Sequence, residues 1–261
     1  MTVQIIADSI WEGRRITTFE FTRFWKLMVA QLNTHGLLAR SVASSRAIPT
    51  QAVMKQVLTD PYLPIFSGAQ KGMVGIPLTE AEQESKRAEW LDGRFDALRL
   101  SDRLFRDECH KETANRPLEP WEHVHVVVTA TEWRNFLALR TKHDAQPDWV
   151  PIASEVERLL KEHEPTERRV HTPFVSDEFD LLSKAMRISA ARCARTSYLV
   201  TERPKKTYSE ELDFSCSLAE SGHWSPFDHP AIAKPGVHGR FVGWQSFRST
   251  FGDTAHGDLK T

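Results

Sequence analysis

The segment from Asn33 to Arg46 is the feature of this chain that most constrains its fold and its use. It carries one histidine, two arginines and three serines, starts where an amphipathic helix is predicted to end, and stops just before Pro49. A buried core has no need of such a cluster, because polar and charged side chains are costly to bury without partners. The segment therefore predicts a site that holds an anionic ligand with several hydrogen-bonding groups.

Composition places the chain among ordinary globular proteins. Its 261 residues suffice for one large domain or two small ones, and its net charge of −1 gives no broad positive field for nucleic acid or for a membrane surface. No apolar run approaches the roughly 20 residues of a membrane span, and the N-terminus lacks a signal-peptide pattern, so we expect a cytoplasmic protein. The widely spaced Cys109, Cys193 and Cys216 predict reduced thiols, with neither a disulfide framework nor a cysteine metal site.

Hydrophobic spacing and helix-capping signals predict the elements of the chain. The predicted helices cover 19–32, 49–58, 79–110, 132–142, 152–162, 181–193 and 209–222, and the predicted strands cover 3–6 and 124–128. Residues 164–173 are charged and contain proline, so they predict a linker. After Pro226 the chain is rich in glycine and proline and is predicted to be irregular, with a frayed end.

Arg116 stands in a rigid setting, because Pro117 and Pro120 restrict the backbone beside it. The planar fork of an arginine suits a phosphate or the edge of a uracil-like base. The alternative is an ion pair with Glu119 or Glu122 at a helix end.

Two further arginine-bearing segments are less specific taken singly. Asn135 lies in the middle of a predicted helix, where asparagine is a poor helix former and usually has a partner. Arg140 lies near the C-terminus of that helix, where the helix dipole favours a cation in any case. Farther along, Arg192, Arg195 and Ser197 could meet a phosphate.

The turn at 221–230 crowds two histidines, a serine and an aspartate. Asp228 beside His229 could form a pair of base and orienting carboxylate, or Asp228 and Ser225 could cap local turns. The spacing of His223 and His229 matches no helical zinc motif, so we predict no metal site.

Taken together, these segments resemble the flavin-dependent thymidylate synthases. The core signature of that family runs Arg-His-Arg, two residues, Ser, a variable stretch and Ser-x-Arg. Here Thr34-His35-Gly36 occupies the triplet, Ala39 the first serine and Ser44-Ser45-Arg46 the closing motif. The other blocks that match the family are Gln31, Arg116, Asn135 to Arg140 with Ala145-Gln146, Ala191 to Tyr198, and His223 to His229.

The order of these blocks is unusual for the family. The blocks at 190–229 precede the Arg-His-Arg signature in common members but follow it here, so the chain resembles circularly permuted bacteriophage relatives. The resemblance implies a single α+β domain over 1–261, with a small mixed or antiparallel sheet flanked by helices. Within it, 1–163 would be the signature and nucleotide-binding part and 174–250 the permuted FAD-binding part. It also implies a homotetramer, located in the host cytoplasm if the gene is a phage gene.

The activity implied by the resemblance is a methyl transfer. The family binds FAD, takes a methylene group from methylenetetrahydrofolate, delivers it to C5 of dUMP to give dTMP, and uses NADPH to reduce the flavin. The partners it implies are a pyrimidine deoxynucleotide (dUMP or dCMP) and folate, and we expect no nucleic acid and no membrane.

The resemblance also assigns residues. It implies nucleotide binding by Gln31, Ser44, Arg46, Arg116 and Arg140, and FAD binding by His35, Asn135, Ser197, Ser225 and Asp228, with Arg40 substituting for missing cations. The catalytic residues it implies are Arg140, which would hold the pyrimidine edge, and His223, near the flavin where folate stacks.

The departures from the family concentrate in the signature. Thr34 and Gly36 stand where the family has arginines, and Ala39 stands where it has serine. Such changes could admit water or a cytosine, so one alternative is flavin-dependent 5-hydroxymethylation of dUMP or dCMP for phage DNA modification. The second alternative is a non-catalytic nucleotide-binding relative.

Overall fold

The computed structural model of the chain describes residues 2–176, 181–195 and 206–251, which form an α+β fold. The strands are β1 (Thr2–Trp11), β2 (Arg14–Trp25), β3 (Ala39–Val42), β4 (Ser67–Gly68), β5 (Ile76–Pro77), β6 (His123–Ala130), β7 (Thr166–Glu167), β8 (Val170–His171), β9 (Ala231–His238) and β10 (Phe241–Ser246). The helices are α1 (Thr50–Thr59), α2 (Glu80–Arg106), α3 (Lys111–Ala114), α4 (Arg134–Arg140), α5 (Trp149–Glu162), α6 (Leu182–Ala194) and α7 (Tyr208–Glu220). Shorter 3-10 helices cover Lys26–Thr34, Arg116–Trp121, Ser225–Asp228 and Arg248–Phe251.

Two sheets organise the described residues, beside a separate two-stranded antiparallel pair of β4 and β5. The larger has five strands in the order β3-β6-β2-β1-β7, antiparallel except for the short parallel pairing of β1 with β7. The smaller has three antiparallel strands in the order β10-β9-β8. A small mixed sheet flanked by helices was the expected architecture, and the structure confirms it. None of the described helices is long and apolar enough to cross a membrane.

The prediction of a helix over 19–32 is wrong. The chain continues as β2 to Trp25 and then forms the 3-10 helix Lys26–Thr34, and β2 is central because it pairs with both β1 and β6. A bulge between Phe21 and Phe24, with Arg23 at φ +53°, returns Phe24 to the face of Phe21 after three residues instead of two. That bulge makes the hydrophobic spacing of a strand resemble that of a helix.

Local signals located α1 and α2 correctly. Thr79 accepts a hydrogen bond from the Glu82 backbone N–H, and the Glu82 carboxylate accepts one from the Thr79 N–H at 2.8 Å, which forms the predicted capping box. The helix ends at Arg106, four residues before the predicted end. Likewise α4 begins at Arg134, two residues after the predicted start at 132, and the Thr131 side chain before it accepts a hydrogen bond from the backbone N–H of Val242.

The stretch after Pro226 is more regular than predicted. It contains the hairpin of β9 and β10, and the predicted linker at 164–173 contains β7 and β8. A bulge in β10 centres on Gly243, which has φ +76° and would place a Cβ atom 2.6 Å from Cγ of Arg14. Glycine is therefore required there. This hairpin carries the C-terminal residues that reach the candidate site.

Buried aromatic rings support the wall of that site. Phe19 and Phe24 of β2 point to the same side as α4 and α5, where they meet Trp133 and Trp149 edge to face at centroid distances of 5.1 and 5.3 Å. Such pairs contribute roughly 0.5–1.5 kcal/mol each beyond the area they bury. The contacts fix α4 and the start of α5 against the sheet.

A continuous chain of buried polar groups runs across the larger sheet from β1 to β3 and includes His171 of β8 and His229; we call it the histidine chain. Its members in order are Ser9, His171, Thr18, Thr129, His229 and Ser41, joined by hydrogen bonds of 2.9, 2.7, 2.6, 2.8 and 2.9 Å. His171 and His229 are fully buried, and burial lowers the pKa of each from 6.5 to about 3. Both rings are therefore neutral at physiological pH.

Candidate active site

The residues predicted from two distant segments meet at the C-terminal end of α4. The Arg140 guanidinium donates from Nε to His35 Nε2 at 3.1 Å, and its terminal nitrogens donate to Gln31 Oε1 at 3.3 Å and to Thr34 Oγ1 at 3.4 Å. Asn135, about one turn earlier in α4, contacts the other nitrogen of His35. We call these five side chains the Arg140 cluster.

The hydrogen bonds of His35 define its tautomer. Because Nε2 accepts from Arg140, the ring hydrogen is on Nδ1, which donates to Asn135 Oδ1 at 3.2 Å. Burial, together with the charge of Arg140, lowers the pKa of His35, although the bond to Asn135 opposes this. A neutral imidazole can accept the hydrogen bond from Arg140, whereas a protonated ring would repel the guanidinium.

Gln31 is held by three partners. Its Oε1 accepts from Trp149 Nε1 at 2.6 Å as well as from Arg140, and its Nε2 donates to Gln146 Oε1 at 2.8 Å. The Trp149 ring also lies under the Arg140 guanidinium, 4.9 Å from its centroid. The amide of Gln31 is thus oriented by the protein, so it positions Arg140 in this structure.

Arg140 retains N–H donors with which it can bind a ligand. An arginine has five N–H donors, and the described residues accept from three of them. The side chain is partly exposed, and desolvation by the surrounding protein lowers its pKa without removing its charge. Its remaining donors form a planar, pre-positioned edge that can bind a carbonyl and an adjacent ring nitrogen.

A second part of the candidate site is a groove of about 660 Å³, which we call the serine groove. It lies between the loop after β3 and the helices α6 and α7. Its polar lining consists of Ser41, Ser44, Arg46, Ser217, Ser221, His223 and Ser225. Four residues assigned by the resemblance are among them, namely Ser44, Arg46, His223 and Ser225. His223 is exposed, and its Nδ1 lies 2.9 Å from Ser221 Oγ.

Arg116 does not line this groove. Its guanidinium donates to Glu119 Oε1 at 2.8 Å, so the ion pair considered as the alternative is present. The same oxygen accepts from Ser45 Oγ at 2.7 Å, and Arg46 pairs with Glu112 at 3.0 Å. Any phosphate bound by Arg116 or Arg46 would therefore compete with a carboxylate for an exposed guanidinium.

The third part is a pocket of about 240 Å³ next to the groove, which we call the arginine pocket. Arg40, Arg240, Arg248, Asp228, Asn33 and Ser225 provide its polar lining. Ser225 is shared with the serine groove, so the two spaces adjoin. Burial raises the pKa of Asp228, and Arg248, which donates to its Oδ2 at 3.1 Å, opposes that shift.

Arg240 and Arg248 were not among the predicted site residues. Both come from the β9–β10 hairpin and the 3-10 helix after it, a stretch predicted to be irregular. The sequence signal for Arg240 was its place directly after the His238-Gly239 turn, since the side chains of a hairpin turn lie at one end of a sheet.

The segment at 190–198 lies within the described residues as far as Arg195. Arg192 and Arg195 both pair with the buried Glu211, Arg192 at 3.0 Å, while Nε and Nη1 of Arg195 are buried without a hydrogen-bond partner among the described residues. Ser197 lies outside the described residues. Within the described ranges, no group of three or more His, Cys, Asp or Glu side chains is arranged to hold a metal ion.

Comparisons with known proteins give only distant similarities. No family model and no curated protein matches the sequence. Among solved structures, the UMP/dUMP methylase PolB from Streptomyces cacaoi bound with 5-Br UMP is 13% identical, with 62% of this chain and 88% of that chain covered at a TM-score of 0.46. The same methylase bound with 5-Br dUMP is 15% identical, with 57% and 66% covered at 0.42.

The flavin-dependent thymidylate synthase ThyX from Helicobacter pylori, in complex with FAD and dUMP, is also similar. It is 17% identical, with 54% of this chain and 66% of that chain covered, at a TM-score of 0.37. The chain thus spans about two thirds of the length of that synthase. Because these values are low, the function of this chain has to be inferred from the residues of its own site.

Proposed function

We propose that this protein is a flavin-dependent enzyme that transfers a one-carbon unit from methylenetetrahydrofolate to C5 of a pyrimidine deoxynucleotide, converting dUMP to dTMP. The observation that carries the proposal is the Arg140 cluster. Gln31 and His35 lie more than 100 positions before Arg140, yet the three side chains form one hydrogen-bonded unit. These are residues by which the sequence resembles the flavin-dependent thymidylate synthases, and their meeting in one unit supports the proposal.

In this proposal Arg140 binds the pyrimidine edge. C5 attacks a carbon electrophile as a nucleophile, and negative charge on the oxygen and nitrogen of that edge increases its nucleophilicity. A guanidinium held by His35, Gln31 and Trp149 stabilises such charge because it is already oriented when the charge develops. His35 and Asn135 are then positioning residues, since both nitrogens of the His35 ring are occupied within the cluster and the residue is only 5% exposed.

The serine groove and the arginine pocket fit a dinucleotide cofactor. In this proposal the groove holds a ring system beside its hydroxyl groups, and the guanidinium groups of the adjoining pocket bind the diphosphate. Ser225, Asp228, Arg40 and His223 would hold FAD and the folate beside it. When bound, the flavin supplies the hydride that completes the methyl group.

The chain offers no cysteine as a substitute nucleophile in this arrangement. Neither Cys109, Cys193 nor Cys216 lines the serine groove or the arginine pocket as these are formed by the described residues. This agrees with chemistry in which no enzyme thiol attacks the pyrimidine.

The purified full-length protein tests the proposal. We expect it to take up FAD and acquire a flavin absorbance band, and to convert dUMP to a product heavier by one methylene when methylenetetrahydrofolate and NADPH are present. Mass spectrometry of the nucleotide identifies the product. Protein that stays colourless after incubation with FAD would contradict the proposal and favour a non-catalytic nucleotide-binding role.

One observation favours 5-hydroxymethylation as a second candidate. A Cβ atom built on Gly36 meets nothing within 4 Å, so the residue leaves open space where the resemblance expects a cation. Ala39 offers no such opening, since it is buried in an apolar cluster with Trp244. If water enters at Gly36 and captures the methylene intermediate, the product from dUMP or dCMP carries one additional oxygen, and the same mass spectrum reveals it.

A further inference from the structure

The arginine pocket carries positive charge that its lining does not neutralise. Three arginines and one aspartate line it among the described residues. Arg248 faces the Asp228 carboxylate, whereas Arg40 donates to the side-chain oxygen of Asn33 and Arg240 to backbone carbonyls. Neutral oxygens anchor a guanidinium but do not cancel its charge. The pocket is therefore an electropositive cavity.

The guanidinium groups are held in place and still have donors to offer. Arg240 donates to the carbonyl oxygens of Gly36 at 2.8 Å and Leu38 at 3.4 Å from one terminal nitrogen. With five N–H donors per arginine, both Arg240 and Arg40 retain hydrogens beyond those that anchor them. Anchored cations with unused donors are suited to an anion, because little side-chain freedom is lost on binding.

The two arginines also destabilise each other. Burial lowers the pKa of Arg40, and the nearby charge of Arg240 lowers it further. Like charges in a partly enclosed space are unfavourable unless an anion lies between them. Binding of an anion in the pocket relieves this repulsion and is therefore favoured.

We propose that the arginine pocket binds a phosphate or diphosphate group of a nucleotide-type ligand, and that Arg240 and Arg248 supply its cations together with Arg40. The pocket itself is inferred from its geometry and charge. The identity of the ligand, either the flavin dinucleotide or the substrate nucleotide, rests on the proposed function.

The dimensions favour a phosphate end and not a whole ligand. The pocket volume of about 240 Å³ lies below the roughly 300–1,000 Å³ of sites that enclose a complete organic ligand. The adjoining serine groove of about 660 Å³ falls within that range. A nucleotide whose phosphate lies in the pocket could thus extend its rings past Ser225 into the groove.

Arg240 also accounts for a departure in the signature segment. The resemblance expects an arginine side chain at residue 36, where this chain has glycine. The Arg240 guanidinium instead reaches the Gly36 carbonyl from the β9–β10 hairpin, 204 positions away. The C-terminal hairpin thus provides a cation beside residue 36, which has no charged side chain in this sequence.

Isothermal titration of the full-length protein with inorganic pyrophosphate tests the pocket. We expect Arg240→Gln and Arg248→Gln each to weaken pyrophosphate binding by roughly tenfold, as expected for loss of a charge-assisted hydrogen bond. Asp228→Asn should tighten it several-fold, because the only carboxylate of the described lining loses its charge. A folding defect would not weaken pyrophosphate binding in the two arginine variants and also tighten it in Asp228→Asn. The matched control is Arg134→Gln, an exposed arginine of α4 whose side chain is 91% accessible, and it should bind like wild type.

Two results would overturn the inference. One is wild-type protein that does not bind pyrophosphate at millimolar concentration. The other is binding that is equal in wild type, Arg240→Gln and Arg248→Gln, which would mean an adventitious ion elsewhere on the surface.

Competition then identifies the ligand. If FAD displaces pyrophosphate, and Arg240→Gln weakens FAD binding but not binding of phosphate-free riboflavin, the anion belongs to the flavin. If dUMP displaces it and FAD does not, the anion belongs to the substrate. If no flavin binds while pyrophosphate binding still depends on Arg240, the proposed function fails and the pocket stands.

Discussion

The histidine chain and the Arg140 cluster are built from the same kinds of groups but have opposite relations to solvent. Each places a neutral imidazole between hydrogen-bonding side chains, and burial lowers the pKa of the histidines in both. In the histidine chain both rings are fully buried and use both nitrogens. The Arg140 cluster instead ends in a partly exposed guanidinium with donors remaining. A closed polar network, whose groups are all buried and paired, thus stabilises a fold. An open network, which ends in an exposed group with unused donors, can also recognise a ligand.

The largest expected effect is on the open network. Arg140→Ala should lower kcat/KM for the pyrimidine nucleotide by about a thousandfold, the loss typical for removal of a pre-positioned donor to developing charge. Thermal unfolding should change little, because the side chain is partly exposed. Steady-state kinetics check this against Arg134→Ala, an exposed arginine one and a half turns earlier in the same helix. Equal activity of the two variants would contradict the assigned role.

The next largest effect is on the closed network. Thr129→Val removes the hydroxyl that joins Thr18 to His229, and it leaves both fully buried partners short of a hydrogen bond. We expect the free energy of unfolding to fall by about 3 kcal/mol, since each such group costs roughly 1–3 kcal/mol. Urea denaturation measures it, with Thr2→Val at the exposed start of β1 as control. A loss below that of the control would mean that the chain does not stabilise the sheet.

A smaller effect concerns pH. His171 and His229 have a folded pKa of about 3 against 6.5 unfolded, so below pH 6.5 the unfolded chain binds protons that the folded protein does not. Their stabilising contribution is complete above pH 6.5 and is lost as pH falls towards 3. Between pH 7 and 5 the loss is roughly 2 kcal/mol per histidine.

That pH effect needs a difference measurement. Burial raises the pKa of Glu122 and Asp148, so these carboxyl groups make the folded protein more stable as the pH falls, opposite to the two histidines. His229→Gln removes one histidine and leaves them in place. The decrease in unfolding free energy from pH 7 to 5 should be about 2 kcal/mol smaller in this variant than in wild type. An identical decrease would show that His229 titrates normally in the folded protein.

The smallest effect tests how the open network is oriented. Asn135→Ala removes the acceptor that keeps the His35 hydrogen on Nδ1, so part of the protein can carry it on Nε2, against Arg140. We expect kcat/KM to fall by about tenfold, or roughly 1.4 kcal/mol, with little change in stability because Asn135 is exposed. Asn135→Asp retains an acceptor and should restore most of the activity. Equal activity of both variants would argue against a positioning role.

Elements defined by short-range signals could be predicted from the sequence. The capping box of Thr79 and Glu82 and the start of α1 after Pro49 depend on groups a few residues apart. The assignment of 19–32 failed because a bulge, which is set by pairing with β6, imitates helical spacing. The hairpin of β9 and β10 was missed because Lys234-Pro235-Gly236 has the composition of a loop.

The two parts of the candidate site were predictable to different degrees. The Arg140 cluster was anticipated only through the family resemblance, since nothing local connects Gln31 with a residue 109 positions later. The arginine pocket had no such guide, because Arg240 and Arg248 belong to none of the matched blocks. Physical reasoning from one sequence finds side chains of suitable chemistry, whereas their convergence depends on strand order and register.

The histidine chain has a consequence for the groove beside it. Each of its two threonines and two neutral histidines has one hydrogen to give along the five bonds. Each neutral histidine donates from one ring nitrogen and accepts at the other. When both threonines also donate along the chain, all five bonds run in the same direction and just one terminal serine gives its own hydrogen. Ser41, which lines the serine groove, therefore presents either a free O–H or only lone pairs, according to the direction set at Ser9. A binary signal encoded in the positions of protons can pass in this way across the larger sheet, from β1 to β3, without any heavy atom moving.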